Sequence, residues 1–151
     1  MPLYFAFGSN MHRLRLERRV RPVIDHGWVV LPDYRHAFAK LGRDGSGKGN
    51  IEPREGSEVH GVLYWLTDAQ LDALGDYEGG YERVEVFPRA SGGVVAAVTF
   101  RGVEWHPGLC PTEEYLEHYR QGMAEHGLPE AYVREVFALA RGASAGEPEV
   151  S

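Results

Sequence analysis

The sequence predicts a single small α+β domain built around a curved sheet or a small barrel. Strand patterns dominate the chain, and helical patterns occur only early, in the middle and at the end. Strands do not alternate with helices of about 10–15 residues, as they would in a doubly wound parallel sheet. The length of 151 residues matches one domain with one core. One domain is therefore predicted over residues 1–141, followed by a flexible tail over residues 142–151.

Runs rich in aromatic and β-branched residues, bounded by turn residues, predict the strands. They cover residues 2–7, 22–31, 34–40, 58–66, 81–89 and 94–101. Pro32 and Asp33 predict a turn between the second and third of these strands. Residues 91–93 are expected to join the last two strands as a hairpin. Residues 42–57 contain five glycines and predict a long irregular loop.

Capping residues and apolar spacing predict four helices. A short helix over residues 11–19 has only a narrow apolar face, so it should be largely solvated. Thr67 and Gln70 form a capping-box pattern at the start of a second helix. Thr112 is the expected N-cap of a third helix, and Pro129 is the expected first residue of the fourth. One face of the third helix carries an apolar stripe typical of a buried surface: Tyr115, Leu116, Tyr119 and Met123.

Composition and charge exclude several classes of protein. Apolar residues make up 43% of the chain and charged residues 25%, which is typical of a globular protein rather than a disordered one. No apolar run approaches the roughly 18 residues that cross a bilayer, so no membrane partner is predicted. The net charge of −6 argues against a nucleic-acid partner. The single cysteine, Cys110, excludes an internal disulfide, and the reducing cytoplasm is the expected compartment.

The first candidate site follows the first strand, at Phe7-Gly8-Ser9-Asn10-Met11. Backbone N–H groups at the start of a helix point towards anions and towards carbonyl oxygens that gain negative charge. Gly8 would let a ligand approach the backbone closely. The alternative interpretation is an ordinary helix cap, for which Ser and Asn are favoured in any case.

The second candidate site is Glu78, which lies after the second helix and directly before Gly79 and Gly80. The glycines would let the chain turn sharply and hold the carboxylate at the end of the sheet. A carboxylate pressed between Tyr77 and Tyr81 would be desolvated, which raises its pKa towards the range of a general base. The alternative interpretation is a solvated surface glutamate in an acidic stretch of the chain.

Other common catalytic arrangements are not predicted. The seven histidines do not show the paired spacing of a zinc site, so no metal is expected. Ser9 lacks the flanking pattern of a nucleophile elbow. Cys110 has no neighbouring base and no helix start that would lower its pKa, and it is expected to be an ordinary, partly buried thiol.

Taken together, these motifs resemble the γ-glutamylcyclotransferase-like family. That family has a Tyr-Gly-Ser-Asn segment after the first strand, a Gly-Val-Leu-Tyr strand, and a Leu-Asp-x-x-Glu-Gly segment followed by a Tyr. The matching parts of this chain are Phe7–Met11, Gly61–Tyr64, Leu74–Gly79 with Tyr81, Tyr115, and Gly127–Pro129. The resemblance covers about residues 3–137. No one motif is specific, but their order and spacing together are.

The resemblance implies a fold built around a five-stranded barrel with flanking helices. It implies a cofactor-independent enzyme that releases an amine or amino acid from a small γ-glutamyl substrate and forms 5-oxoproline. Glu78 would be the general acid/base, residues 7–11 the substrate-binding loop, and Tyr81 and Tyr115 would line the pocket. A homodimer is left open.

This chain departs from the family pattern at two positions. Phe7 replaces the usual Tyr, which removes a hydroxyl but keeps the backbone groups. Gly75 replaces the usual Asp, and this change would loosen the Glu78 loop if that Asp orients it. Neither change removes the carboxylate. A cyclotransferase for γ-glutamylamines or peptide precursors, and a non-catalytic domain that keeps the pocket, are the alternative interpretations.

Positive charge is concentrated near the N-terminus. Residues 1–50 carry nine Lys or Arg and four Asp or Glu, whereas the remaining residues carry seven and eighteen. The cluster from Arg13 to Arg21 follows directly on the proposed binding loop. Two interpretations are open: the cluster adds positive potential for a substrate α-carboxylate, or it is a solvated helix surface.

Overall fold

A computed structural model describes residues 2–142 of the chain. The strands are β1 (Leu3–Ala6), β2 (Ile24–Leu41), β3 (Gly47–Trp65), β4 (Tyr81–Val86), β5 (Arg89–Ala90), β6 (Gly93–Val94) and β7 (Ala97–Gly102). The α-helices are α1 (Arg13–Arg19), α2 (Asp68–Gly75), α3 (Glu113–His126) and α4 (Glu130–Ala140), and a 3₁₀ turn covers Ser9–Met11. The predicted tail lies outside the described residues, except for Gly142.

All seven strands form one mixed sheet in the order β4-β7-β1-β3-β2-β5-β6. Strand β1 lies antiparallel to β3 and parallel to β7. Two of the strands, β5 and β6, are only two residues long, so five strands of substantial length carry the sheet. The α+β class, with a curled five-stranded sheet and flanking helices, is therefore confirmed.

The predicted turn at Pro32 and Asp33 is wrong. The chain continues through both residues as one strand of 18 residues. The register with β3 shifts between Pro32 and Tyr34, and Asp33 has a positive φ of 63°. The turn residues therefore form a β-bulge, which bends a strand without ending it.

The predicted loop over residues 42–57 is also wrong. Only residues 42–46 connect the strands, and β3 begins at Gly47. Two of the five glycines in residues 42–57, Gly47 and Gly49, lie within β3 at points of close packing. A Cβ atom at Gly47 would lie 2.6 Å from the Phe38 carbonyl oxygen, and one at Gly49 would lie 2.2 Å from the Tyr119 hydroxyl.

The helix boundaries largely match the prediction. Both hydrogen bonds of the capping box are present: the Thr67 amide donates to the Gln70 side chain, and the Gln70 amide donates to the Thr67 hydroxyl. At the start of α3, the Thr112 side chain accepts a hydrogen bond from the Tyr115 amide. Pro129 occupies the N-cap position of α4, one residue before its expected place. Within residues 2–142, no helix has the length and apolar character to cross a membrane.

Helix α3 packs its apolar stripe into the main core. Tyr115, Leu116, Tyr119 and Met123 are all buried, as their spacing predicts. This core lies between the sheet and the helices, and a smaller second cluster lies around Phe5, Val59 and Ile51. Cys110 is exposed, so the expectation of a partly buried thiol is wrong.

Candidate active site

The first predicted segment leaves the sheet at the end of β1 and turns immediately into the 3₁₀ helix. Ser9 and Asn10 are buried despite being polar. Gly8 lies close to α3: a Cβ atom there would lie 3.1 Å from the Tyr119 hydroxyl. The missing side chain thus lets the loop pack closely against α3.

Side chains of α1 hold this loop from the outside. The Arg15 Nε donates to the Ser9 hydroxyl at 3.0 Å, and the Arg19 guanidinium donates to the Asn10 side-chain oxygen at 3.2 Å. The Asn10 amide group in turn donates to the Tyr4 hydroxyl at 3.0 Å. The side chains of Ser9 and Asn10 are therefore each held by hydrogen bonds to α1.

Glu78 lies between two turns that follow α2. Its amide donates to the Gly75 carbonyl oxygen at 3.1 Å, and its carbonyl accepts from the Tyr81 amide at 3.1 Å. Gly80 has a φ of +83°, which favours glycine because a Cβ is strained there. The hydrogen bond between the Glu78 amide and the Gly75 carbonyl uses backbone atoms only. It therefore does not depend on the Asp side chain that the family has at position 75.

Glu78 and the loop meet at one small cavity of about 30 Å³. Its lining residues are Tyr4, Phe7, Gly8, Ser9, Asn10, Glu78, Tyr81 and Phe100. A larger cleft of about 470 Å³ shares Ser9, Glu78 and Tyr81 with it and also includes Tyr115. The two adjoining spaces thus form one candidate active site.

The site raises the pKa of Glu78. Burial is the main cause, and the nearby charges of Arg19, Arg15 and Lys40 oppose it. Burial also raises the pKa of the Tyr81 and Tyr4 hydroxyls, so both remain neutral hydrogen-bonding groups at physiological pH. A carboxyl group that releases its proton closer to neutrality is suited to accept and return protons.

Gly49 of β3 forms hydrogen bonds with two tyrosines of the site and lies against a third tyrosine, Tyr119 of α3. Its amide donates to the Tyr115 hydroxyl at 2.9 Å, and its carbonyl accepts from the Tyr81 hydroxyl at 2.7 Å. The Tyr119 hydroxyl occupies the space where a Gly49 side chain would lie and is 2.7 Å from the His36 Nε2. Burial lowers the pKa of His36 to about 3, so its imidazole is neutral.

Positive side chains surround the larger cleft. Arg15 and Arg19 come from α1, and Lys40, Arg43 and Lys48 come from the β2–β3 turn and its flanking strands. The Lys40 and Lys48 ammonium groups lie over the rings of Tyr81 and Tyr115, at 5.1 Å and 4.5 Å from the ring centroids. The acidic residues of the cleft are Asp44, Asp76 and Glu78.

The structure brings together seven of the eight predicted site residues: Phe7, Gly8, Ser9, Asn10, Glu78, Tyr81 and Tyr115. Met11 is the exception. Its side chain is fully buried in the core and packs against Gly122 of α3, away from the two adjoining spaces. Met11 thus anchors the loop, since its carbonyl also accepts a hydrogen bond from Tyr64.

Sequence reasoning missed Gly49 and the individual roles of the arginines. Gly49 lay inside the predicted loop, so nothing indicated that tyrosines would surround it. Arg15 and Arg19 are one helical turn apart and therefore share a face, a signal that was available. Arg13 instead pairs with Glu17 at 3.1 Å. No cluster of three potential metal ligands occurs within residues 2–142.

The chain matches known proteins over most of its length. Residues 58–136 match the model of the AIG2-like family. The γ-glutamylcyclotransferase of Bos taurus is 26% identical over 148 residues, an alignment that covers 91% of this chain and 78% of the bovine protein.

Solved structures show the same fold. The structure of a γ-glutamyl cyclotransferase superposes with a TM-score of 0.83 at 25% sequence identity. The alignment covers 90% of this chain and 86% of the cyclotransferase chain. YkqA from Bacillus subtilis superposes with a TM-score of 0.82 at 22% sequence identity. The alignment covers 95% of this chain and 55% of the YkqA chain. The second likeness concerns the fold alone.

Proposed function

The chain belongs to the AIG2-like family and has the γ-glutamylcyclotransferase-like fold, and from this premise we propose that it is a γ-glutamyl cyclotransferase with Glu78 as general acid/base. The observation that carries the proposal is the meeting of Glu78 with Gly8, Ser9 and Asn10 at one cavity. The similarity to the bovine enzyme supports the reaction class. Among residues 2–142, Glu78 is the one carboxylate that lines both adjoining spaces.

The reaction needs little covalent chemistry from the protein. The substrate α-amine attacks its own γ-carbonyl carbon, a C–N bond closes the five-membered ring, and the amide bond to the leaving amine breaks. Well-oriented intramolecular attack reaches effective molarities on the order of 10⁵ M or more. The chain's main task is therefore to hold the substrate folded and to move protons.

Glu78 would perform both proton transfers. As a carboxylate it takes a proton from the α-ammonium group, which frees the nitrogen lone pair for attack. As a carboxylic acid it returns that proton to the departing amine. The second proton that the attacking nitrogen loses, when it becomes the ring amide, passes to the released amine, which leaves as an ammonium ion. The raised pKa of Glu78 suits this double role, because acceptance and release are then both accessible near neutral pH.

The binding loop and α1 would hold the γ-glutamyl group. Arg15 and Arg19 line the cleft beside Ser9 and provide the positive charge that an α-carboxylate requires. The Ser9 and Asn10 amides begin the 3₁₀ turn and have no acceptor within it. They are suited to the oxygen of the γ-carbonyl, which gains negative charge during attack.

The leaving group would occupy the larger cleft, where positive side chains outnumber acidic ones. Lys40, Arg43 and Lys48 line this space and favour a leaving group that carries a carboxylate. An amino acid or peptide is therefore a better candidate than an uncharged or cationic amine. This charge balance favours γ-glutamyl amino acids over γ-glutamylamines among the alternatives.

The experiment is release of 5-oxoproline from a panel of γ-glutamyl amino acids and γ-glutamylamines. The parent should turn over the amino acid conjugates faster, and Glu78→Gln should lose at least about 10²-fold in kcat while still binding substrate. Glu82→Gln changes an exposed glutamate on β4 and should leave the rate unchanged. If Glu78→Gln keeps the parent rate, its assigned role is wrong; if 5-oxoproline binds but no conjugate is consumed, the protein is a binding domain.

A further inference from the structure

A second cavity, of about 530 Å³, lies on another part of the molecule. One wall is formed by strands β2 and β3, over residues 35–37 and 54–60, and the other wall by Pro129 and α4. It shares no lining residue with the two spaces around Glu78. The volume is in the range of small-molecule sites.

Two buried polar groups in this cavity have no hydrogen-bond partner within residues 2–142. They are the Nδ1 atom of His36 and the hydroxyl of Tyr132, and both residues are only 7% exposed. The other ring nitrogen of His36 is held by Tyr119 at 2.7 Å. The backbone of His60 lies near the Tyr132 hydroxyl without completing a hydrogen bond. Buried polar groups are rarely left unpaired, so both atoms point to an occupant.

The rim of the cavity carries charges of both signs. Arg54 is exposed and forms no ion pair among the described residues, whereas the Arg35 guanidinium is engaged by Glu52 and stacks on Trp105. Glu58 and Glu135 provide carboxylates on the two opposite walls, and the Glu58 carboxylate also lies 3.5 Å from the His60 Nε2 and 3.9 Å from the Arg89 guanidinium. Apolar side chains such as Val136 and Leu139 lie along α4.

This distribution excludes several ligand classes. Two carboxylates at the rim disfavour phosphate and other purely anionic ligands. A purely apolar ligand would leave the buried His36 and Tyr132 groups unpaired. The ligand should therefore carry both charges near its exposed end, a short apolar segment, and a hydrogen-bonding group at its buried end.

We propose that this cavity binds a free amino acid with an amide side chain. Its carboxylate would lie at Arg54, its ammonium group at Glu58 and Glu135, and its methylene groups against α4. The side-chain amide would reach His36 and Tyr132. An amide both donates and accepts hydrogen bonds, so it matches His36 in either neutral tautomer and the Tyr132 hydroxyl at the same time. This inference does not depend on the proposed enzymatic activity.

The test uses the full chain and L-glutamine, followed by two-dimensional amide NMR and calorimetry. L-Norleucine, which has a similar length and no amide, is the ligand control. We expect L-glutamine to shift the resonances of α4 and of residues 54–60, and L-norleucine to bind more weakly. The Glu78→Gln variant should respond as the parent does, because the site is separate.

Matched variants locate the binding site. Tyr132→Phe and Arg54→Ala should each weaken L-glutamine binding on the order of threefold to tenfold. Tyr77→Phe and Arg134→Ala, which change exposed residues away from the cavity lining, should not. Absence of binding, shifts confined to the Glu78 cleft, or equal affinity for L-norleucine would each overturn the proposal.

Discussion

The Tyr81 hydroxyl donates a hydrogen bond of 2.7 Å to the carbonyl oxygen of Gly49. Tyr81 begins β4, directly after the Glu78 turn, and Gly49 lies near the start of β3. The bond therefore ties the turn that carries Glu78 to the long hairpin that forms one wall of the cleft. A residue three positions after the proposed acid/base thus positions it through the backbone of another strand.

Tyr81→Phe tests this connection. The variant leaves the Gly49 carbonyl without its partner, and we expect a loss of about 1–3 kcal/mol in the free energy of unfolding. Urea denaturation measures this loss, and release of 5-oxoproline should fall with it. Tyr34→Phe is the control, because the Tyr34 hydroxyl makes no hydrogen bond with the described residues. An equal loss in both variants would contradict the connection.

Gly49→Ala tests the close contact with α3. The new methyl group would lie 2.2 Å from the Tyr119 hydroxyl, so either the strand or the helix must move. We expect a destabilisation of about 1–3 kcal/mol, together with a loss of activity. Gly92→Ala, where a Cβ atom meets nothing within 4 Å, should leave both quantities unchanged. Thermal unfolding and initial rates of the two variants decide between these outcomes.

Arg19→Gln should shift the pH dependence of kcat/KM. The Arg19 charge lowers the pKa of Glu78 against the effect of burial, so its removal raises that pKa further. If the rate depends on ionised Glu78, the acidic limb of the profile moves to higher pH. Arg18→Gln removes an exposed arginine of the same helix and should leave the limb in place. A shift to lower pH in Arg19→Gln would show that the electrostatic assignment is wrong.

Arg15→Ala and Arg13→Ala separate the two interpretations of the N-terminal basic cluster. Arg15 bonds to Ser9 and lines the cleft, whereas Arg13 is exposed and pairs with Glu17. Loss of a charged hydrogen-bonding group should raise KM about tenfold in Arg15→Ala. KM should be unchanged in Arg13→Ala. Equal values of KM in the two variants would show that the basic cluster is only a solvated helix surface.

The stability of the protein should also depend on the ionisation of Glu78. Because burial raises its pKa in the folded state, the folded chain holds this proton more tightly than the unfolded chain does. The resulting stability is present below the unfolded pKa and is lost as the pH rises through the folded pKa. Glu78→Gln does not ionise, so its Tm relative to the parent should be higher at about pH 8 than at about pH 4. The same Tm difference at both pH values would contradict this expectation.

Local patterns in the sequence were sufficient for most of the helices and for the position of Glu78. The Thr67–Gln70 pair, the N-cap at Thr112 and the stripe on α3 depend on residues within a few positions of one another. The turn at Gly80 is local in the same sense. Such features form from their own segment, and the structure contains all of them.

Two segments take structures that depend on distant residues and differ from what their local patterns predict. Pro32 and Asp33 have turn chemistry, but pairing with β3 on both sides turns them into a bulge. The glycines of residues 42–57 have loop chemistry, but at Gly47 and Gly49 they admit Leu109 and Tyr119 from later parts of the chain. A single sequence does not show which distant side chain will fill the space that a glycine leaves.

The sequence by itself determined the α+β class, the family resemblance, and the candidate pair formed by the Gly8-Ser9-Asn10 loop and Glu78. The tertiary structure decided that this pair shares one cavity, that Arg15 and Arg19 rather than Arg13 line the adjoining cleft, and that Gly49 bonds to both Tyr81 and Tyr115. It also placed Met11 in the core. The physical reason is that backbone propensities and caps act over a few residues, whereas a cavity is defined by close packing between segments that are far apart in the chain.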